Sequence, residues 1–286
     1  MKKIGKIILL VLGVALIALG VKGLMDIPGQ KALLENAVYL DEAVVLPEND
    51  GKLVIIHGKP EMTSPVYDEE LGLTLNTIKA YRYREVYKQT SFSTDEQKWE
   101  WVTNEQKSLT GEAKIGDFEL DSPILIAFPT ESHYTDFDTG ETAGYSLFHA
   151  NSGSSDLYVL PEGGYYADEM TLNGTDNGWL TTMGFQTAAD REGTTAYRYR
   201  YYDPEMNGEH TVVGIQKGNR LVKDETLGPV VKSGVLSKEQ VLSANQGGIM
   251  GGAIIFMLIG AVLAFLGLRK PKTETYTYYD KEQANK

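Results

Sequence analysis

Two copies of one pentapeptide hold the residues whose types and spacing most invite a chemical role: Ala80-Tyr-Arg-Tyr-Arg84 recurs as Ala196-Tyr-Arg-Tyr-Arg200. Arginines at alternate positions, Arg82 and Arg84 in the first copy and Arg198 and Arg200 in the second, each hold out a planar fork of N–H donors that suits anions. The interleaved tyrosines add flat contact area at small entropic cost. Two uses stay open. The guanidinium groups can neutralise carboxylates of neighbouring strands, or they can line a ligand-binding surface for an anionic ligand, a polymer or a protein partner.

Other chemistry has weaker signals. His57, His133, His149 and His210 show no pair at metal-ligand spacing, whereas a zinc helix needs two imidazoles one turn apart. His133 lies in Glu131-Ser-His-Tyr-Thr-Asp136-Phe-Asp138-Thr-Gly140-Glu141. Asp136, Asp138 and Glu141 could wrap calcium, but the run is shorter than D-x-D-x-D-G and lacks the distal bidentate glutamate, so a solvated turn fits it better. Asp176, in Asn173-Gly-Thr-Asp-Asn-Gly178, reads the same way, and Asn173-Gly-Thr175 matches a glycosylation sequon. There is no cysteine, no G-x-S-x-G elbow and no phosphate loop. The expectation is a protein with no catalytic residue, no cofactor and no metal.

The net charge of −12 is unevenly spread. Of 39 acidic residues three lie outside 26–247, and of 27 basic residues nine do, which leaves that segment 36 acidic against 18 basic. So acidic a body argues against nucleic acid as a partner and against close contact with anionic headgroups. Its flanks are apolar and end in cations. Residues 4–25 are interrupted only by Lys6 and Lys22 and would span about 33 Å as a helix, enough for a hydrocarbon core if both lysines reach the interfaces. A secretory signal peptide, with Ala18-Leu19-Gly20 as its cleavage site, is the rival reading. Residues 248–268 are uncharged and stop at Arg269-Lys270-Pro-Lys272. The positive-inside rule then puts residues 1–3 and 269–286 in the cytoplasm and 26–247 outside. Gly13 and Gly20 in the first span, and Ala253, Gly260 and Gly267 in the second, recur every seven residues, with Gly247/Gly251 and Gly248/Gly252 further out. Such faces let helices approach closely, either within this hairpin or between copies in a homo-oligomer. The tail, with Tyr276, Tyr278 and Tyr279, reads as disordered.

Between the spans the pattern is mostly strand. An amphipathic helix is expected over 30–42 after a break at Pro28-Gly29, and a hairpin whose turn Pro47-Glu-Asn-Asp-Gly51 joins 43–46 to 53–56. Leu71, Leu73 and Leu75 alternate, and Tyr81 and Tyr83 then oppose Arg82 and Arg84, the period of a strand with one buried and one wet face. Trp99 and Trp101 share a face, 130–178 is loop-rich, and the repeated pentapeptide suggests a duplicated β-unit. Ser237-Lys-Glu-Gln240 is a capping box that starts a short helix.

Leu40-Asp-Glu42, then Asn49-Asp-Gly-Lys-Leu-Val-Ile-Ile-His-Gly-Lys59, an acidic loop and a leucine strand ending Arg84-Glu-Val-Tyr87 together resemble the transmembrane protein 43 (LUMA) family. The likeness covers about a fifth of the chain. Ile55-Ile56-His57 displaces the family's histidine, and Tyr87-Lys-Gln-Thr90 lacks its tryptophan. What the resemblance implies is a non-enzymatic scaffold or structural protein that organises assemblies at a membrane. Family members commonly carry further membrane helices after the domain, so functions tied to those are not carried over. The Met-Lys-Lys start, short tail and missing cysteines look bacterial, which places the chain in the cell membrane. The expected architecture is α+β: a β-rich extracytoplasmic domain between two transmembrane α-helices. Its expected partners are the lipid bilayer and membrane or envelope proteins. The alternative is an envelope binding module or sensor that takes an anionic ligand through the Tyr/Arg strands.

Overall fold

The computed structural model describes residues 2–90, 99–137, 145–149, 155–161 and 192–269. The chain forms two compact units, one of Met1–Ala32 with Leu242–Lys286 and one of Leu33–Val241.

The first unit is built on two helices, α1 (Lys2–Asn36) and, last in the chain, α4 (Lys238–Leu268). Both are long and apolar enough to cross a membrane, and their outward faces carry exposed Ile7, Val11, Leu258, Val262 and Phe265. They pack antiparallel through the glycines. A Cβ on Gly13 would stand 2.6 Å from the Gly260 carbonyl, one on Gly20 would stand 2.6 Å from the Ala253 carbonyl, and one on Gly267 would meet Lys6 and Leu10. Packing within the hairpin therefore uses the seven-residue spacing of small residues, because only glycine lets two helix backbones come so close. A Cβ on Gly247, Gly248, Gly251 or Gly252 would meet nothing within 4 Å, so these glycines take no part in the seam. The Lys6 ammonium donates to the Arg269 carbonyl at one end of the seam. At the other, Asn245 Nδ2 donates to Gln30 Oε1 at 3.1 Å.

The expected break at Pro28-Gly29 does not occur, since α1 runs through Pro28 to Asn36. Proline removes one N–H from the ladder, whereas a full break would strand several backbone groups. The capping box is present: the Ser237 N–H donates to Gln240 Oε1 at 2.8 Å, and Ser237 Oγ accepts from the Gln240 N–H at 3.3 Å. Its helix continues as α4 without interruption. Ser237→Ala is expected to cost about 1 kcal/mol at this terminus, seen as faster hydrogen exchange of the Gln240 amide with the centre of α4 unchanged.

The second unit contains two large sheets. The first has eight strands: β1 (Val38–Tyr39), β2 (Leu53–Gly58), β3 (Glu61–Ser64), β8 (Glu112–Ile115), β9 (Phe118–Leu120), β14 (His210–Lys217), β15 (Arg220–Val222) and β16 (Val230–Ser233). Its path is β1-β2-β14-β15-β9-β8-β3, with β16 also on β14. Val54, Ile55 and Ile56 are all fully buried, so β2 is covered on both faces, which a continuous β-branched run allows. Ile56, Ile115, Phe118, Val212 and Leu221 pack with Ile124 and Leu125 of the short α2 (Ser122–Leu125).

The expected hairpin is only half present. Pro47–Asn49 makes a 3-10 turn, but residues 43–46 are not a strand. β2 pairs instead with β14 over six residues from His210↔Gly58 to Ile215↔Leu53, and in parallel with β1. The reason lies far along the chain: buried Gln216 donates its amide to the Leu46 carbonyl at 2.8 Å, and the Asp117 N–H bonds Ala43 at 2.8 Å. Both bonds fasten the loop as a strap.

The second sheet runs β11 (Tyr145–His149), β12 (Leu157–Pro161), β13 (Thr195–Tyr201), β6 (Lys79–Gln89), β7 (Trp99–Thr110), with β10 (Ser132–His133) on β13. The hairpin of β4 (Val66–Asp68) and β5 (Leu73–Leu75) packs against it, and Val66, Leu71, Leu73 and Leu75 join Ala80, Tyr197 and Tyr199 in one core. Among the described residues of 130–178, expected to be loop-rich, three strands form. The two pentapeptides do not head equivalent units: after β6 the chain stays in this sheet as β7, whereas after β13 and α3 (Pro204–Asn207) it crosses to the other as β14. Asp138, Glu141, Asp176, the sequon and the tail tyrosines lie outside the described residues.

Candidate functional site

The two pentapeptides are hydrogen-bonded neighbours. β6 and β13 run antiparallel with Tyr81↔Arg200, Arg82↔Tyr199, Tyr83↔Arg198 and Arg84↔Tyr197. Residues directly opposite one another share a face, so Arg82 and Arg84 stand with Tyr197 and Tyr199 on one side, and Arg198 and Arg200 with Tyr81 and Tyr83 on the other. The four arginines form no single groove. Nor is the charged face of β6 wet, because Arg82 is 1% exposed and Lys79, Glu85 and Tyr87 on the opposite face are buried too. Both faces of this strand therefore carry buried side chains, while Tyr81, Tyr83 and Arg84 stay partly exposed.

On the first face Arg82 Nη1 donates to Asp68 Oδ1 at 2.8 Å and Oδ2 at 3.1 Å, and Nη2 donates to Glu70. Asp68 is wholly buried at the end of β4 and also accepts from the Tyr199 hydroxyl at 2.7 Å. Burial works against the guanidinium charge, but the Glu70 hydrogen bond and the Asp68 carboxylate outweigh it and hold the pKa above its ordinary value. The Tyr199 hydroxyl is pushed up by burial, then by Asp68. A buried ion pair needs such partners, since each charge forfeits its hydration, although the buried Arg82 Nε has no hydrogen-bond partner among the described residues.

On the second face the anchor is Glu85, the residue after the first pentapeptide. It accepts from Arg198 Nε at 2.7 Å, Tyr158 Oη at 2.8 Å and Thr103 Oγ1 at 3.0 Å. Arg198 Nη1 lies 3.6 Å from Asp156, which also meets His133 Nδ1. Burial and then Glu85 raise the Tyr158 hydroxyl. Neutralisation by neighbouring carboxylates is thus what Arg82 and Arg198 do. Arg84 and Arg200 are partly buried and form no ion pair among the described residues.

Asp68, Glu85 and Lys79 escaped the sequence reading. A trace existed for the first, because Asp68 is in phase with Val66 and so belongs to the inner face of its strand. Lys79 is 3% exposed and its ammonium donates to the carbonyls of Ile126 and Phe128 beyond α2. Desolvation brings its pKa from 10.5 down to about 8. The folded value lies below the unfolded one, so the penalty for burying the charge is complete below pH 8 and fades as pH rises toward 10.5. Stability should therefore increase by about 2 kcal/mol from pH 7 to 9.5 relative to Lys79→Met, which has no such group. Urea unfolding of both proteins across that range checks it.

Among the described residues no cluster of three or more His, Asp or Glu is placed to hold a metal ion. A cleft of about 600 Å³ opens over β8 and β9 beside Glu112, Lys114, Glu119, Asp121 and Arg220. Its cations are engaged locally, Arg220 with Asp121 at 3.1 Å and Lys114 with Glu61 at 3.2 Å. Comparison of the chain with protein-family models, with curated proteins and with solved structures finds no match.

Proposed function

We propose that this protein is a membrane-anchored, non-enzymatic scaffold, with both termini in the cytoplasm and the β-rich unit outside. The observation that carries the reading is the use of Arg82 and Arg198. Two of the four arginines best suited by type to a ligand site are consumed in joining strands to one another, which favours a rigid body over a reactive cleft. The run from Leu40 to Thr90 that resembles the transmembrane protein 43 family supports the same role.

Topology is tested first. Because the chain has no cysteine, Ser152→Cys should react with a membrane-impermeant maleimide on intact cells, and Thr277→Cys only after permeabilisation. The opposite pattern sinks the orientation. For the role itself, a photo-crosslinker at Glu225, whose side chain is 85% exposed, should capture the same small set of membrane or envelope proteins in independent membrane preparations. Adducts to lipid alone, or a set no different from that of an unrelated two-helix anchor, would count against a scaffold.

A further inference from the structure

We propose that Tyr81, Tyr83 and Arg200 form a binding platform for a carboxylate-bearing sugar unit of a polysaccharide. This goes beyond the scaffold role and stands or falls separately from it. The three share one face of the β6–β13 pair, and all are partly exposed. The tyrosine rings have centroids 6.5 Å apart at 60°, a separation on the scale of one sugar unit.

Each ring is backed by a cation, buried Lys79 behind one and partly buried Arg198 behind the other. Lys79 Nζ is 4.6 Å from the Tyr81 ring centre, and the Arg198 guanidinium is 4.3 Å from that of Tyr83. These contacts fix the rings and occupy one side of each with positive charge. The ring surface that stays exposed is poorly suited to a second cation. Arg200 lies opposite Tyr81 on one flank and His133 on the other, and forms no ion pair among the described residues.

Charge complementarity selects the ligand. Among the described residues here, Lys79, Arg198 and Arg200 outnumber Glu85 and Asp156 by one positive charge, within a chain of net −12. An arginine fork matches a carboxylate bidentately, and the C–H face of a pyranose suits paired aromatic rings. A bare phosphate would use the arginine but not the rings.

The test uses the full chain in detergent micelles, with trigalacturonate, its methyl ester and inorganic phosphate as probes, followed by calorimetry and saturation-transfer NMR. Trigalacturonate should bind, with saturation transferred to its ring protons. Binding should weaken about tenfold in Arg200→Met and in Tyr81→Ala/Tyr83→Ala, with the methyl ester about tenfold weaker on the wild-type protein. Arg200→Lys, which keeps the charge but loses the fork, should fall between. Unchanged binding by Arg200→Met overturns the proposal, as does phosphate binding as tight as that of the trimer, or no binding by wild-type protein whose near-ultraviolet dichroism shows it folded. Should the double tyrosine variant fail to fold, Tyr83→Leu alone serves, and unaltered affinity there overturns the platform equally.

Discussion

Replacing Arg82 with methionine is expected to destabilise the Leu33–Val241 unit by about 3–5 kcal/mol, out of the roughly 5–15 kcal/mol typical of a folded domain. Methionine fills much of the volume, so the loss is chiefly electrostatic. Asp68, with no exposure, would keep its charge without its arginine partner, bonded only by the neutral Tyr199 hydroxyl and the Glu70 backbone N–H. Glu70 matters less, because half of its side chain is in water. The companion experiment separates charge from packing. Asp68→Leu and Tyr199→Phe added to Arg82→Met should recover the stability to within about 1 kcal/mol, since apolar groups of similar size replace buried ion pairs at little cost. Urea unfolding of the full chain in detergent measures both. A single-variant loss below about 1 kcal/mol would show that the network is not a determinant of this fold.

The second large effect belongs to the helix pair. Gly260→Leu would push a side chain into the Gly13 carbonyl and the Ile17 amide, where even a Cβ would stand 2.6 and 2.9 Å from backbone atoms. Backbone cannot rotate aside as a side chain can, so the helices must part. Overpacking of this kind costs about 1–3 kcal/mol, a five-fold to more than hundred-fold loss of pairing. The absence of native cysteine provides a direct readout. A Cβ on Gly23 lies 3.6 Å from that of Ala253, within disulfide range, so Gly23→Cys/Ala253→Cys should crosslink nearly completely on oxidation in membranes. Adding Gly260→Leu should reduce the crosslinked fraction several-fold, while Gly251→Leu, at a glycine with open surroundings, should leave it unchanged. Equal crosslinking in both would refute the seam.

The two buried charge clusters have a structural consequence beyond their energy. A one-residue slip of β6 in the sheet would carry Arg82 to the face of Glu85 and Arg198, and would leave Asp68 of β4 without its arginine. Side-chain period 2 makes every slip an exchange of faces, and a buried unpaired carboxylate makes that exchange costly. Arginine and tyrosine repeat in both strands, so the pentapeptides by themselves would tolerate several registers. Asp68 and Glu85 discriminate among them.

Much of this was legible in the residues. The apolar spans, the reciprocal Ser237/Gln240 cap, the buried leucines at 71, 73 and 75 and the seven-residue recurrence of small residues each depend on neighbours within a turn or two of the chain, and each is present in the structure. The continuous α1 was missed because Pro28 is a strong local breaker whose effect depends on surroundings. The strap at 43–46 was missed because its fasteners, Gln216 and Asp117, lie far along the sequence.

By itself, then, the sequence determined that two long apolar helices flank the body, which strands are apolar and that cations alternate with tyrosines. The tertiary structure alone decided that the two Tyr-Arg strands lie side by side and that Arg82 and Arg198 are the arginines paired among the described residues. Alternation within a strand records that there are two faces but not what covers either one. Arg82 finds Asp68 fourteen residues away and Arg198 finds Glu85 at a distance of 113, and pairing across such separations depends on the register of distant strands, which leaves no periodic mark in either segment.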